Sequence, residues 1–233
     1  MKNIITKICW GFALQLLCAG IVWGTEGFSS IGWQSAHVPE GTKIDAASGF
    51  LNLETGVEHD GFSIGAGLIQ GLRENYNELE LALGYGWDVQ MTEFGIGLSR
   101  IEYPSLDDHG SWEVAADVTI PMHQYVAIFL DGVYDFDDIN GGFLETGIRF
   151  TPPNPGASLF FEPYALVGWD WGFVSGPRRL NENHIQVGIE SEWQIAGNAS
   201  VFADINHSTP LDNLDDIDEK SATWGGLGIG FTY

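Results

Sequence analysis

The sequence predicts an all-β fold, an antiparallel transmembrane β-barrel of about twelve strands with both termini on the periplasmic side. Three observations predict it. Period-two segments of roughly ten residues recur from about residue 26 onward, which is the barrel signature and not a helical one. The connections between them alternate between short and long. The last seven residues, Leu227 to Tyr233, alternate large apolar with small side chains and stop on an aromatic. A closed barrel pairs its last strand with its first and leaves no edge.

The amino-terminal segment reads as an export signal. Lys2 and Lys7 form a small positive region, Ile8 to Trp23 carries no charge, and Val22 and Gly24 occupy plausible −3 and −1 cleavage positions. Residues 1–24 are therefore expected to be a cleavable secretory signal, and residues 25–233 one barrel domain. As a membrane anchor the uncharged stretch is short for a span of ~20 residues. Cys18 follows Leu17 and not a small residue, which argues against a lipoprotein signal. Both cysteines, Cys9 and Cys18, lie in this segment. A mature chain without them has no catalytic thiol, thiolate metal site or redox pair.

The strands follow in order. Leu51, Leu53, Thr55 and Val57 share one face, with Asn52, Glu54, Gly56 and Glu58 on the other. Phe62, Ile64, Ala66 and Leu68 alternate with small or polar residues. Leu79, Leu81, Leu83, Tyr85 and Trp87 oppose Glu78, Glu80, Ala82, Gly84, Gly86 and Asp88. The pattern recurs through Phe94/Ile96/Leu98, Trp112/Val114/Ala116/Val118, Leu144/Thr146/Ile148/Phe150, Ile185/Val187/Ile189 and Val201/Ala203/Ile205. It ends with Leu227/Ile229/Phe231/Tyr233, the expected closing strand. Weaker segments near 27–38, 124–134 and 158–170 complete the set. Longer polar connections fall at 39–48, 71–76, 104–110, 135–142, 171–183 and 208–221, with short turns between them. That suits extracellular loops and periplasmic turns. No domain boundary, internal repeat or helix-period segment is evident.

Composition agrees. The chain has 31 Gly and 13% aromatics, and 32 acidic residues stand against nine Lys and Arg, two of them in the signal. Nucleic acid and anionic membrane surfaces are poor partners for such a charge. Trp87, Trp112, Trp169, Trp171, Trp193 and Trp224 fall near strand ends, as interfacial aromatic girdles require. A soluble barrel would turn the apolar face inward and its charges outward, yet only Lys43 and Lys220 remain among the lysines, both in loops.

With the apolar rows outward, the other rows define a lumen. They carry Glu54, Glu58, Glu78, Glu80, Glu113, Asp117, Glu145, Glu190, Glu192 and Asp204, with Arg149 as the one base placed among them. A buried, unpaired carboxylate costs several kcal/mol, so these acids require water or bound cations. Rings of carboxylates attract cations. The expectation is a small porin-like channel for cationic or neutral solutes. The alternatives are a closed structural or adhesive barrel and, third, a lipid-modifying enzyme.

Two loop clusters are notable. Asp212, Asp215, Asp216, Asp218 and Glu219 lack the glycine and spacing of a calcium loop and read as a solvated acidic run. Arg178 and Arg179 are the only basic pair, suited to lipid phosphates or to lumen carboxylates. His207 and Ser208 are neighbours, but adjacent strand side chains point to opposite faces, which argues against a catalytic dyad. No catalytic residues, metal site or cofactor are expected.

The run from Gly61-Phe62-Ser63-Ile64-Gly65 through Asn77-Glu78-Leu79-Glu80-Leu81-Ala82-Leu83-Gly84-Tyr85 to Phe94-Gly95-Ile96-Gly97 and Glu102-Tyr103-Pro104 resembles the TorF-like porin family of bacterial outer-membrane barrels. The resemblance covers about a fifth of the chain. It departs at Trp33-Gln34-Ser35-Ala36-His37, where that family has an aromatic followed by Arg-Gly. The resemblance implies a porin-like barrel in the bacterial outer membrane of a Gram-negative cell. Lipid and, through the terminal aromatic strand, the barrel-assembly machinery would be its partners. It supplies no catalytic residue.

Overall fold

The structure is a computed structural model that describes residues 26–44, 48–73, 75–105, 110–152, 158–174, 180–215 and 217–233. The expected signal, Arg178, Arg179 and Asp216 lie outside these residues. Twelve strands form one closed antiparallel barrel in simple up-and-down order: β1 (Glu26–Gln34), β2 (Phe50–His59), β3 (Phe62–Gly71), β4 (Asn77–Val89), β5 (Thr92–Glu102), β6 (Ser111–His123), β7 (Val126–Asp135), β8 (Gly141–Phe150), β9 (Leu159–Trp171), β10 (Asn181–Ala196), β11 (Ala199–Pro210) and β12 (Ala222–Thr232). Each strand pairs with its sequence neighbours, and β1 closes on β12 in a register that sets Ile31 opposite Ile229 and Trp33 opposite Leu227.

At one end of the barrel four turns span two residues each, 60–61, 90–91, 124–125 and 197–198. At Asp60-Gly61 both residues have positive φ, 50° and 80°, the geometry of a two-residue hairpin turn whose twist matches its strands. The other end of the barrel carries the longer loops. One of these holds a single helical turn, α1 (Asp212–Asp215), which the sequence pattern does not reveal. β1 also stops at Gln34, short of the expected 38. There Ser35 turns to bond Gly225, its N–H to the carbonyl at 2.9 Å and its hydroxyl accepting from the Gly225 N–H at 3.1 Å.

Register fixes the faces, because strand side chains alternate. Leu83, Ile96, Ile205 and Leu227 lie in outward rows and are each more than half exposed. An apolar belt on this scale calls for an apolar surrounding, and it rules out the inward-apolar arrangement of a soluble barrel. Trp87, Trp112, Trp169, Trp171 and Trp193 share those rows. Trp224 does not. It pairs with Asn206, points inward, and is only 9% exposed in a cluster with Ala36, Val38 and Ala222. Its expected place in an aromatic girdle is thereby corrected: it packs the root of the first long loop.

The glycines have a spatial logic. Large inward side chains lie over a glycine directly across the strand pair. A Cβ on Gly95 would sit 2.1 Å from Asp117, one on Gly147 2.5 Å from Phe129, and one on Gly228 2.2 Å from Phe202. A bare backbone opposite each bulky inner residue lets that side chain lie flat on the wall, so that it does not stand across the lumen.

A closed barrel resists detergent until heated. Unboiled and boiled samples of the purified chain are expected to migrate differently on a denaturing gel. Identical migration would contradict barrel closure.

Candidate functional site

The inner rows bring the acids together. Glu54 and Glu58 on β2, Glu78 and Glu80 on β4, Glu113 and Asp117 on β6, Glu145 and Arg149 on β8, Glu190 and Glu192 on β10, and Asp204 on β11 all occupy inward positions of the register. Inward positions also hold acids that sequence reasoning left unplaced, among them Asp131, Asp135, Glu162 and Asp170.

These acids differ in what satisfies them. Asp135 accepts from the Ser111 hydroxyl and from the backbone N–H groups of Asp137, Ile139 and Asn140, so it shapes the β7–β8 loop. Asp170 does the same for the turn after β9, accepting from Phe173 and Val174 N–H at 2.7 and 3.1 Å. Asp204 ends a lateral chain: Gln186 donates to Tyr164 at 2.5 Å, Tyr164 to Asn206 at 2.7 Å, and Asn206 to Asp204 at 2.6 Å. Arg149 lies 3.8 Å from Glu162 and 4.7 Å over the Phe129 ring. Among the described residues it is the one inward guanidinium beside these carboxylates. Arg100 is no counter-charge, because it stands in an outward row over Trp112, paired with Glu102 at 2.6 Å and Asp137 at 3.2 Å.

The first long loop is the feature that the sequence hides. It folds into a short hairpin closed by paired bonds between His37 and Ile44, at 3.3 and 2.7 Å. Its tip is a turn over Pro39-Glu40-Gly41-Thr42, with the Thr42 N–H donating to the Pro39 carbonyl at 2.8 Å and positive φ at Glu40 (45°) and Gly41 (76°). Left-handed backbone costs Glu40 on the order of 1–2 kcal/mol, which the surrounding packing must offset.

The hairpin crosses the lumen. At its root Ala36 and Val38 pack on Trp224 and Ala222. The His37 ring lies 5.8 Å from Phe50 and 6.0 Å from Tyr76, with Nε2 3.7 Å from Glu78. Burial pushes the Tyr76 hydroxyl pKa up, as does the Glu78 charge, so the hydroxyl stays protonated and donates to Glu78 at 2.7 Å. At the tip, Gly41 presses on β10 so closely that a Cβ would lie 2.6 Å from His184 Nδ1. Glu40 then sits within electrostatic range of Glu113, Glu145, Glu78 and Asp170, which come from four different strands. Only a side chain inside the barrel can reach all four. From the far side, the Lys43 N–H donates to Glu219 at 3.2 Å, and the Leu211 N–H to the Asn183 carbonyl at 2.7 Å, while Leu214 is fully buried beside them. The first and last long loops therefore pack together over the mouth.

On the outward face, His207 accepts or donates to Thr223 at 2.8 Å and Thr209 at 3.3 Å, while Ser208 is buried on the inner side. A His207–Ser208 dyad is excluded by this geometry. In the acidic loop, Lys220 pairs with Asp218. Among the described residues no group of three or more His, Asp or Glu side chains is placed to hold a metal ion.

No protein-family model matches the chain, and no curated protein matches it in sequence. In fold it is similar to the KdgM porin in complex with disordered oligogalacturonate, with a TM-score of 0.59 and 9% identity over 89% of this chain and 99% of that one. It is similar also to the NanC porin, with a TM-score of 0.55 and 7% identity over 87% and 98%. LpxR from Salmonella typhimurium has a TM-score of 0.54 at 9% identity over 88% and 99%. At such identities the likeness establishes architecture: the chain has the closed barrel fold of outer-membrane porins.

The hairpin tip should respond to pH. Burial first, and then the charges of Glu113, Glu145, Glu78 and Asp170, push the Glu40 carboxyl up to about 8 from an ordinary 4.5. A raised value means that the docked tip binds its proton more tightly than the released one. Docking is therefore fully favoured below about 4.5, weakens as pH climbs, and has lost this contribution above about 8. Spin labels on Lys43→Cys and Asp60→Cys are expected to give one distance at pH 5 and a second, longer population at pH 9. Adding Glu40→Gln should keep the single distance at both.

Proposed function

We propose that the protein is a small outer-membrane channel whose acidic lumen passes cations and neutral or basic small solutes. The observation that carries this reading is the inner row of carboxylates from β2, β4, β6, β8, β10 and β11 against Arg149, the single inward base of the described strands. Carboxylates in such number are tolerable only where water or mobile cations reach them, and a wet acidic lumen attracts cations and repels anions. The apolar outward belt with its tryptophans supports residence in a lipid bilayer. The TorF-like resemblance and the fold shared with the KdgM and NanC porins agree with an outer-membrane location. Export by the residue 1–24 signal would precede assembly, and both termini would face the periplasm. The closing strand, with Leu227, Ile229, Phe231 and Tyr233, would be the segment offered to the assembly machinery.

A second reading has a specific observation in its favour. The hairpin of the first loop lies across the lumen and the last loop packs on it, so a closed barrel with a structural or adhesive role is the competing account. Electrical measurement separates the two. In a planar bilayer under a tenfold KCl gradient, the purified chain is expected to show discrete conductance steps. Its reversal potential should carry the cation-selective sign, below the ~59 mV limit for a monovalent ion. Glu78→Gln/Glu80→Gln should move that potential toward zero. Absence of steps favours the closed barrel, and an unchanged potential in the double variant would sink the carboxylate-lined pore.

A further inference from the structure

We propose that the hairpin tip and the wall that it meets form a binding site for a small organic cation bearing N–H donors, a primary ammonium or a guanidinium. The site rests on the channel reading only in that the cation must reach the lumen. Its acidic half is Glu40 on the tip with Glu145 and Glu113 on the wall. Among the described residues no base is paired with Glu40.

The second half is independent of that charge. His184 is fully buried beneath Gly41, held by a parallel stack on Phe143 (7°, centroids 6.1 Å apart) and by the bare backbone of Gly168, where a Cβ would lie 2.6 Å from the ring. Its Nδ1 lies 2.8 Å from Asn183 Oδ1. With the amide in this orientation, which leaves Asn183 Nδ2 likewise unpartnered, Oδ1 can only accept, so Nδ1 carries the proton, and in the neutral form of the ring Nε2 presents a lone pair. That atom is buried without a hydrogen-bond partner and lies 3.7 Å from Glu145 Oε1. Two acceptors thus face one another, and the ring is too tightly held to turn away. What fits between acceptors is a donor.

Glu145 keeps 28% of its side chain exposed, so a donor can approach from the lumen. The absence of a three-ligand cluster among the described residues disfavours a bare metal ion. A guanidinium or ammonium group suits the site better, because its several N–H bonds diverge toward separate acceptors. One N–H would point to His184 Nε2, and others to the carboxylates of Glu145 and Glu40, the bound cation displacing the proton that docked Glu40 otherwise holds up to about pH 8.

The test is ligand-observed saturation-transfer NMR on the full-length barrel in detergent micelles, with methylguanidinium and, as a control of equal charge without N–H donors, tetramethylammonium. Methylguanidinium should bind saturably and at least tenfold more tightly than tetramethylammonium. Glu40→Gln and Glu145→Gln should each weaken it about tenfold, the worth of one charge-assisted hydrogen bond. Equal binding of the two cations, or an affinity indifferent to both variants, would overturn the site. Each variant is checked for heat-modifiable migration, and Glu40→Gln, in a loop, decides alone should Glu145→Gln not fold. Since binding is read without conductance, a missing cation preference in the bilayer defeats the channel reading only. Cation-selective conductance without N–H-specific binding defeats this site only.

Discussion

The pairing of β12 with β1 is the interaction on which the rest depends. It satisfies the backbone groups that an open sheet would leave at its edges, which no apolar solvent could solvate. Once the sheet is closed it has only an inside and an outside, and the alternation of side chains assigns every residue to one of them. A shift of one residue at this seam would send Leu227, Ile229 and Phe231 into the lumen and turn glycines outward. The outward apolar belt and the inward acids are thus two consequences of one closure.

Closure also concentrates charge. Carboxylates that would be dispersed over a soluble surface here face each other across a common interior, with Arg149 as their one inward guanidinium among the described strands. The molecule manages this in two ways. Asp135 and Asp170 are consumed by loop backbone, and Asp204 by a chain of amides and a phenol. Glu78, Glu113 and Glu145 remain around the hairpin tip, where Glu40 joins them. Bringing another acid into that group is costly, and a left-handed Glu40 adds to the cost. An arrangement that expensive is what one expects where strain is retained for function.

Most of the wall was legible in the sequence because period two is a strong signal. Once Leu79, Leu81 and Leu83 are set outward, Glu78 and Glu80 have nowhere else to go. The same parity argument was available for Trp224, which is an odd number of residues from Leu227, Ile229 and Phe231. Reading it by its closeness to a strand end ignored that parity and gave the wrong face. Asp131 and Asp135 were obscured because Phe129 lies inward among them and blurs the alternation of β7. The hairpin was not legible at all. Pro39-Glu40-Gly41 reads as an ordinary polar turn, and what draws it inward is distant in sequence: Trp224 at the root, and the pocket that His184 and Gly168 leave for Gly41.

The central claim is that this hairpin narrows a hydrated acidic lumen. Its most direct test is the single-channel conductance of a chain in which Val38 to Lys43 is excised and His37 joined to Ile44 through two glycines. The account predicts that conductance rises while the preference for cations persists, because the acidic wall is untouched. Conductance equal to that of the intact chain would contradict it.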